Sequence, residues 1–536
     1  MTRKILTLII LVCTMQAAAA QYHPEDHVYQ YSVKVGSRDA YLWIPPKCKS
    51  VRGVIIALSN LLERNWLEAP VMRRTAAKIG LAIIWIGPAE KGDELFTADM
   101  KPGMDKVFQK MMDDLAVESG YSELKTVPVI PTGHSANGHF AWTFASAFPE
   151  RTIAAIPVKT VPYPDSLRFK NIPVCYIVGQ TTEWPQFRVP DPATTPGERD
   201  FYWPVVKNTA LALRAKDPEN LVSVVTDPGG GHFDWSDKLS DFMVLFIRKA
   251  CHYRLPDSGE TTLKPITKEK GWMTGTGGMV KDEFNAAPYG LFKGGALKGY
   301  WFFDKQIAEA AVAFEGDRVA REKQMPTFLQ DGKPLPVAKL GYAALKFEPE
   351  NDGVSFNLTG GFLTALPPEL IGAGNPLGHA QGPVRFKIIK GPAIQAGNTS
   401  FKLQFDRGAT GGELWLMAEH PGNYQYRHAV QPGMMRIPSK LTDGTAQNIS
   451  FDTIPDINIH TRSVMLNASS TSGLPVSYYV TAGPAYIAGN KLKITQVPPK
   501  SRMPVKVTVI AYQWGKMNGL KVASAIPIIR TFYIKR

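Results

Sequence analysis

The stretch VPVIPTGHSANGHFAWTFASAF, residues 127–148, changes character at one point. It opens with VPVI at 127–130, an apolar run of buried-strand length, and from 138 to 148 its apolar residues fit a helix. Between the two lie small and polar residues, with Ser135 at the corner. A serine at a sharp strand-to-helix turn exposes its hydroxyl, and the helix start behind it offers backbone N–H groups to a developing negative charge. Strand and helix must approach closely there, which calls for small flanking residues. Gly133 fills the position before; the position two after Ser135 is Asn137 rather than glycine, with Gly138 next, a variant of the G-x-S-x-G pattern. Asparagine tolerates positive φ better than most residues.

Working outward, the same alternation recurs on both sides. Residues 28–45 alternate like two antiparallel strands. GVIIALS (53–59) and LAIIWIG (81–87) read as buried strands separated by a helix over 70–79. Further helices are expected over 104–118, 205–215 and 235–251, and further strands over 152–158, 172–179 and 221–226. Alternating strands and helices of this kind specify a mostly parallel sheet covered by helices. The Pro-rich stretch 185–204 fits neither period and reads as a long loop over the sheet's carboxyl edge, where loops usually carry function.

A serine nucleophile needs a base, and in this chain order the histidine comes last. DPGGGHFDWSD places His232 in a glycine-rich turn between the final strand and the closing helix. The glycines alone would suit a phosphate, but no G-K-[ST] follows them. The acid that orients the imidazole should follow the strand ending at 179, which makes Glu183 of GQTTEW the natural candidate, with Asp191, Asp200 and Asp234 open as alternatives. An oxyanion hole would combine the N–H of Ala136 with that of Asn60 or Leu61, after GVIIALS. In the same loop Arg64 could grip a substrate carboxylate or pair with Glu63 or Glu68, and Trp66 or Trp184 could stack on a sugar ring.

Charge and composition bound the partners. The first twenty residues read as an export signal: basic Arg3 and Lys4, an apolar run too short to span a bilayer, then alanines at 17–20. A periplasmic, secreted or surface location in a bacterium is therefore expected, with no spanning helix. The remaining Cys48, Cys175 and Cys251 are too scattered for a disulfide scaffold or a zinc site, leaving one bridge possible. Beyond residue 320 the chain carries 24 basic against 12 acidic residues, and after Asp456 it has no carboxylate at all. Such a field suits a polyanion, and for an exported chain an acidic polysaccharide, an anionic membrane surface or a partner protein fits better than nucleic acid. Short alternating runs separated by Gly, Pro and Asn mark an all-β module at 321–445, and the same style at 446–536 suggests a basic β-sandwich of immunoglobulin type. The hydrolytic unit would then occupy 21–320.

With elbow, acid position and histidine in order, residues 21–320 resemble the α/β-hydrolase superfamily. The export signal, GHSANGHFAW, GQTTEW, GGGHFDW and the appended β modules are similar to secreted bacterial carbohydrate esterases, above all the α/β-hydrolase pectin methylesterases. That resemblance implies acyl transfer through Ser135 and His232 on an esterified plant polysaccharide, without metal or organic cofactor. The rival expectations are an acetyl or feruloyl esterase, a serine peptidase, and a catalytically silent scaffold that presents its β modules to glycan.

Overall fold

Strands buried on both faces carry unbroken apolar runs, and GVIIAL and LAIIWI do so as β3 (Gly53–Leu58) and β4 (Leu81–Ile86). The structure, a computed structural model, describes residues 24–160, 171–180, 203–257, 262–276, 285–316, 321–337, 341–368 and 373–536. β3 and β4 belong to an eight-stranded sheet with β1 (Tyr31–Val35), β2 (Arg38–Trp43), β5 (Val129–His134), β6 (Ile156–Val158), β7 (Val174–Gly179) and β8 (Val222–Asp227). Its order is β1-β2-β4-β3-β5-β6-β7-β8. β2 pairs antiparallel with both β1 and β4, and every pairing from β4 to β8 is parallel. Helices α1 (Glu63–Leu67), α2 (Pro70–Ile79), α3 (Met104–Ser119), α4 (His139–Ala147), α5 (Trp203–Lys216) and α6 (Asp237–Arg254) connect or follow the strands. This is the α/β-hydrolase fold.

The period-two side-chain alternation of a strand divides the interior. Ile55, Ala57, Ile83 and Trp85 enter one core with Trp66, Met72, Trp142 and Phe246. Val54, Ile56, Ile84 and Ile86 enter the other with Phe108, Met112, Phe140 and Phe144. Local signals set the helix ends: Pro70 opens α2, Gly80 closes it at φ 87°, and the Ser236 hydroxyl caps α6 by accepting the Leu239 N–H.

Several elements differ from the sequence reading, three of them near the site. β5 runs on to His134, directly up to the serine, because its parallel neighbours extend the ladder. The stretch 152–155 makes only isolated bridges before β6 begins at Ile156. The loop after β3 contains the one-turn helix α1, which apolar periodicity is too short to reveal. The expected leader at 1–20 and most of the Pro-rich stretch lie outside the described residues.

After α6, a small antiparallel sheet within 272–302 and helix α7 (Lys305–Gly316) pack into the first core through Met273, Trp301, Phe302, Ile307 and Ala311. The β module that follows centres on strands Gly412–His420 and Ala429–Ile437, paired along their whole length and flanked by Arg385–Lys390. Its own core holds Phe328, Phe356, Phe386, Phe401 and Leu414, while Ile389, Trp415, Met417 and Met434 join the hydrolase core. The C-terminal strands form two main sheets, of four and three strands, and Leu492, Val507, Val509 and Phe532 continue the second core beside α3. Cys48, Cys175 and Cys251 are free thiols, so the bridge left open by the sequence does not form. Among the described residues no helix is long and apolar enough to cross a membrane.

Candidate active site

Parallel strands bring their carboxyl ends to one edge of the sheet, where loops converge and ligands bind in open α/β sheets. The loops after β3, β5 and β8 meet there. Ser135 follows β5 with φ 56°, the left-handed backbone expected of a strained corner, and a 3₁₀ turn over Ser135–Gly138 leads into α4. His232 follows β8, and its Nε2 lies 2.9 Å from Ser135 Oγ. The structure thus brings together two side chains ninety-seven positions apart.

Close packing explains the residues of the elbow. A side chain at Gly133 would begin 2.2 Å from the Asn137 carbonyl oxygen, and one at Gly138 would begin 2.4 Å from Thr160 Cβ, in the loop that follows β6. The glycine facing that loop is therefore 138, which leaves 137 free to be asparagine. Asn137 Nδ2 uses that freedom to donate to Ser59 O at 2.6 Å, tying the elbow to the loop after β3. Thr160 Oγ1 donates to Ser135 O. Gly138→Ala should lower stability by ~1–3 kcal/mol through overpacking; an unchanged urea midpoint would contradict this close approach.

The glycine run before His232 serves packing as well. A Cβ at Gly229, φ 76°, would meet His428 O of the β module at 2.2 Å, and one at Gly230 would meet Asp227 Oδ2 at 2.2 Å. The turn is fixed from below by Lys159. Its ammonium donates to Asp227 Oδ2 (3.2 Å), Asp234 Oδ1 (3.1 Å) and Asp234 O (2.8 Å), while Asp234 Oδ2 accepts Gly231 N–H at 2.6 Å. Asp234, one of the alternative acids, is thus engaged with Lys159 and the turn backbone. Burial pushes its pKa up to about 6, with Asp227 adding to the rise and Lys159 opposing it. Burial, with Lys159 nearby, pushes the His232 pKa down to about 3, which keeps the imidazole neutral as a base must be. Glu183 and Trp184, with Asp191 and Asp200, lie outside the described residues.

The loop after β3 is held by Glu63, a carboxylate that the sequence offers only as a partner for Arg64. Glu63, 2% exposed, accepts Asn60 N–H at 2.7 Å and His134 N–H at 2.9 Å. Burial pushes its pKa up to about 7 against the pull of those two N–H groups. Asn60 Nδ2 in turn donates to His134 O at 3.0 Å. Because Asn60 N–H is committed to Glu63, Leu61 N–H is the remaining candidate to join Ala136 N–H around an oxyanion.

Two expected substrate contacts are corrected. Trp66 is fully buried, its ring centroid 4.6 Å from that of Trp235, so it cannot stack on a sugar. It belongs to α1, the turn hidden from periodicity, which rotates it into the core. Arg64 pairs with Glu68 and bidentately with Asp406 of the β module, leaving its guanidinium engaged. The β module forms a wall beside the histidine loop: Phe233 stacks on Trp415 at 4.6 Å, and Tyr342 meets Trp415 edge-on at 5.0 Å.

No protein-family model matches the chain, and no curated protein matches it in sequence. Several solved structures match part of it. A poly(3-hydroxybutyrate) depolymerase from Bordetella parapertussis is 13% identical, with 45% of this chain and 99% of that one covered at TM-score 0.29. An S-formylglutathione hydrolase from Agrobacterium tumefaciens is 15% identical, with 41% and 93% covered at TM-score 0.29. Est1E from Butyrivibrio proteoclasticus is 14% identical, with 42% and 99% covered at TM-score 0.27. Identities this low do not carry an activity across.

Proposed function

We propose that this chain is a serine ester hydrolase that removes methyl esters from pectic galacturonan. The observation that carries the hydrolase reading is the 2.9 Å approach of His232 Nε2 to Ser135 Oγ at a positive-φ corner. In the first step His232 takes the Ser135 proton as the hydroxyl attacks the ester carbonyl, and the oxyanion develops toward Ala136 N–H and Leu61 N–H. The alkoxide leaves as methanol with the proton returned by His232, and water then attacks the acyl-enzyme by the same base. The substrate class rests on sequence: the resemblance of GHSANGHFAW, GQTTEW and GGGHFDW to α/β-hydrolase pectin methylesterases, and the basic excess beyond residue 320. Exposed Lys491, Arg502 and Lys506 contribute to that excess, whereas Lys500, Lys521 and Lys535 have carboxylate partners.

A panel of methyl-esterified galacturonan, acetylated xylan and feruloylated arabinoxylan tests both levels. Methanol from the first, with fluorophosphonate labelling of Ser135, is the expected result. Acetate or ferulate release instead would move the chain to another esterase class. Absence of both turnover and label would leave only a silent scaffold.

A further inference from the structure

Asn60 is gripped at both ends. Its N–H is held by Glu63, and its carbonyl oxygen accepts a hydrogen bond from the ammonium of Lys390, a β-module residue 330 positions later in the chain. Lys390 ends the strand Arg385–Lys390, which also supplies the Ile389 carbonyl that takes Asn65 Nδ2 at 2.8 Å. Near it, Arg64 is bound to Asp406. One strand and one turn of the β module therefore meet the segment 60–65 directly, on the loop that borders the nucleophile.

The Asn60 carbonyl and the Leu61 N–H belong to one peptide unit. That unit is planar and trans, so its C=O and N–H point in opposite directions, and whatever fixes the carbonyl fixes where the N–H aims. A cation on the carbonyl also polarises the unit and strengthens its N–H as a donor. We propose that Lys390 is a positioning residue for the oxyanion hole: by holding the Asn60 carbonyl, it aims the Leu61 N–H at the oxygen that becomes charged. This rests on the serine-hydrolase reading and adds to it a catalytic dependence on the second module. Lys390 is half-buried; burial lowers its pKa while Glu63 and Glu413 pull the other way, and its ammonium is held in place by the Asn60 carbonyl.

The test is a series at position 390 in the full chain, assayed on an activated ester such as p-nitrophenyl acetate. Lys390→Met should lower kcat by roughly 10–100-fold with KM within about twofold, less than the 10²–10³ of losing a donor outright, because Leu61 N–H remains but is misaimed. Lys390→Arg, which can still donate to the carbonyl, should restore most of kcat. Lys387→Met serves as the control: it removes the ion pairs of the same strand with Asp237 of the hydrolase and with Glu419 of its own module, and Lys387 makes no contact with the loop after β3 among the described interactions. It should leave kcat unchanged. Thermal melts identify any variant that does not fold, and if Lys390→Met is one of them, the shorter Lys390→Gln against Lys390→Arg gives the same contrast.

Kinetics of Lys390→Met within twofold of the parent overturn the proposal. So does a loss shared equally by Lys387→Met, which would mark a general loosening of the interface. A parent chain that neither turns over ester nor labels at Ser135 removes the hydrolase reading itself. An active parent with an unaffected Lys390→Met removes only the role of Lys390.

Discussion

Replacing His232 by alanine is expected to lower kcat on an activated ester by roughly 10⁴–10⁶-fold, and adding Ser135→Ala to that variant should change little more. The two side chains act as one device. Ser135 is a poor nucleophile while it keeps its proton, and the only described acceptor for that proton at hydrogen-bond distance on a titratable side chain is His232 Nε2, 2.9 Å away. Once either partner is gone, the other has nothing to do, so the separate losses do not multiply. Residual turnover would come from the oxyanion donors and from binding alone. Steady-state kinetics of the two single variants and the double variant make the measurement. A His232→Ala enzyme within tenfold of the parent, or a double variant that loses the product of the single effects, would show that the imidazole is not the base.

How far this site was legible depends on whether its signals were local. Ser135 could be read because strand, corner and helix follow one another within about twenty residues, and His232 because its turn lies between a strand and a helix of the same fold. The β3–β5 core was equally legible, since strands buried on both faces leave continuous apolar runs such as GVIIAL. Trp66 misled because a five-residue helix is too short to display a period, and its ring was rotated inward by an element the pattern did not contain. The roles of Glu63 and Lys159 were invisible for another reason. A buried carboxylate or ammonium looks in sequence like any surface charge, and only the partners that compensate it, at positions such as 134, 227 and 234, give it meaning. Lys390 is the extreme case, because its partner lies in a different module. The Asn137 exception has a positive signal after all: the adjacent Gly138 is where the Cβ is forbidden.

Lys159→Met is expected to destabilise the fold by ~3–5 kcal/mol and to move the acid limb of kcat/KM to higher pH. Lys159 stands just after β6 with φ 45°, its ammonium fully buried between Asp227 and Asp234, each only 2% exposed. Methionine matches the volume of the lysine stem, so the cost comes from charge: two carboxylates remain buried without the cation that compensates them, the circumstance in which breaking a buried pair costs most. The catalytic effect has a definite sign. Burial and the Lys159 charge hold His232 far below the ordinary imidazole value of ~6.5, down to about 3. The parent should therefore keep its base deprotonated, and its kcat/KM, well into the acid range. Removing the cation and leaving the carboxylates favours the imidazolium, so the limb rises. Linkage gives the matching trend in stability. Between about 3 and 6.5 the unfolded chain binds more protons at His232 than the folded one, so this group's contribution to parental stability declines as pH falls through that window. Urea unfolding and pH–rate profiles of parent and variant check both effects. An unfolding free energy within ~0.5 kcal/mol of the parent, together with an unmoved acid limb, would mean that Lys159 neither braces the histidine turn nor sets its charge.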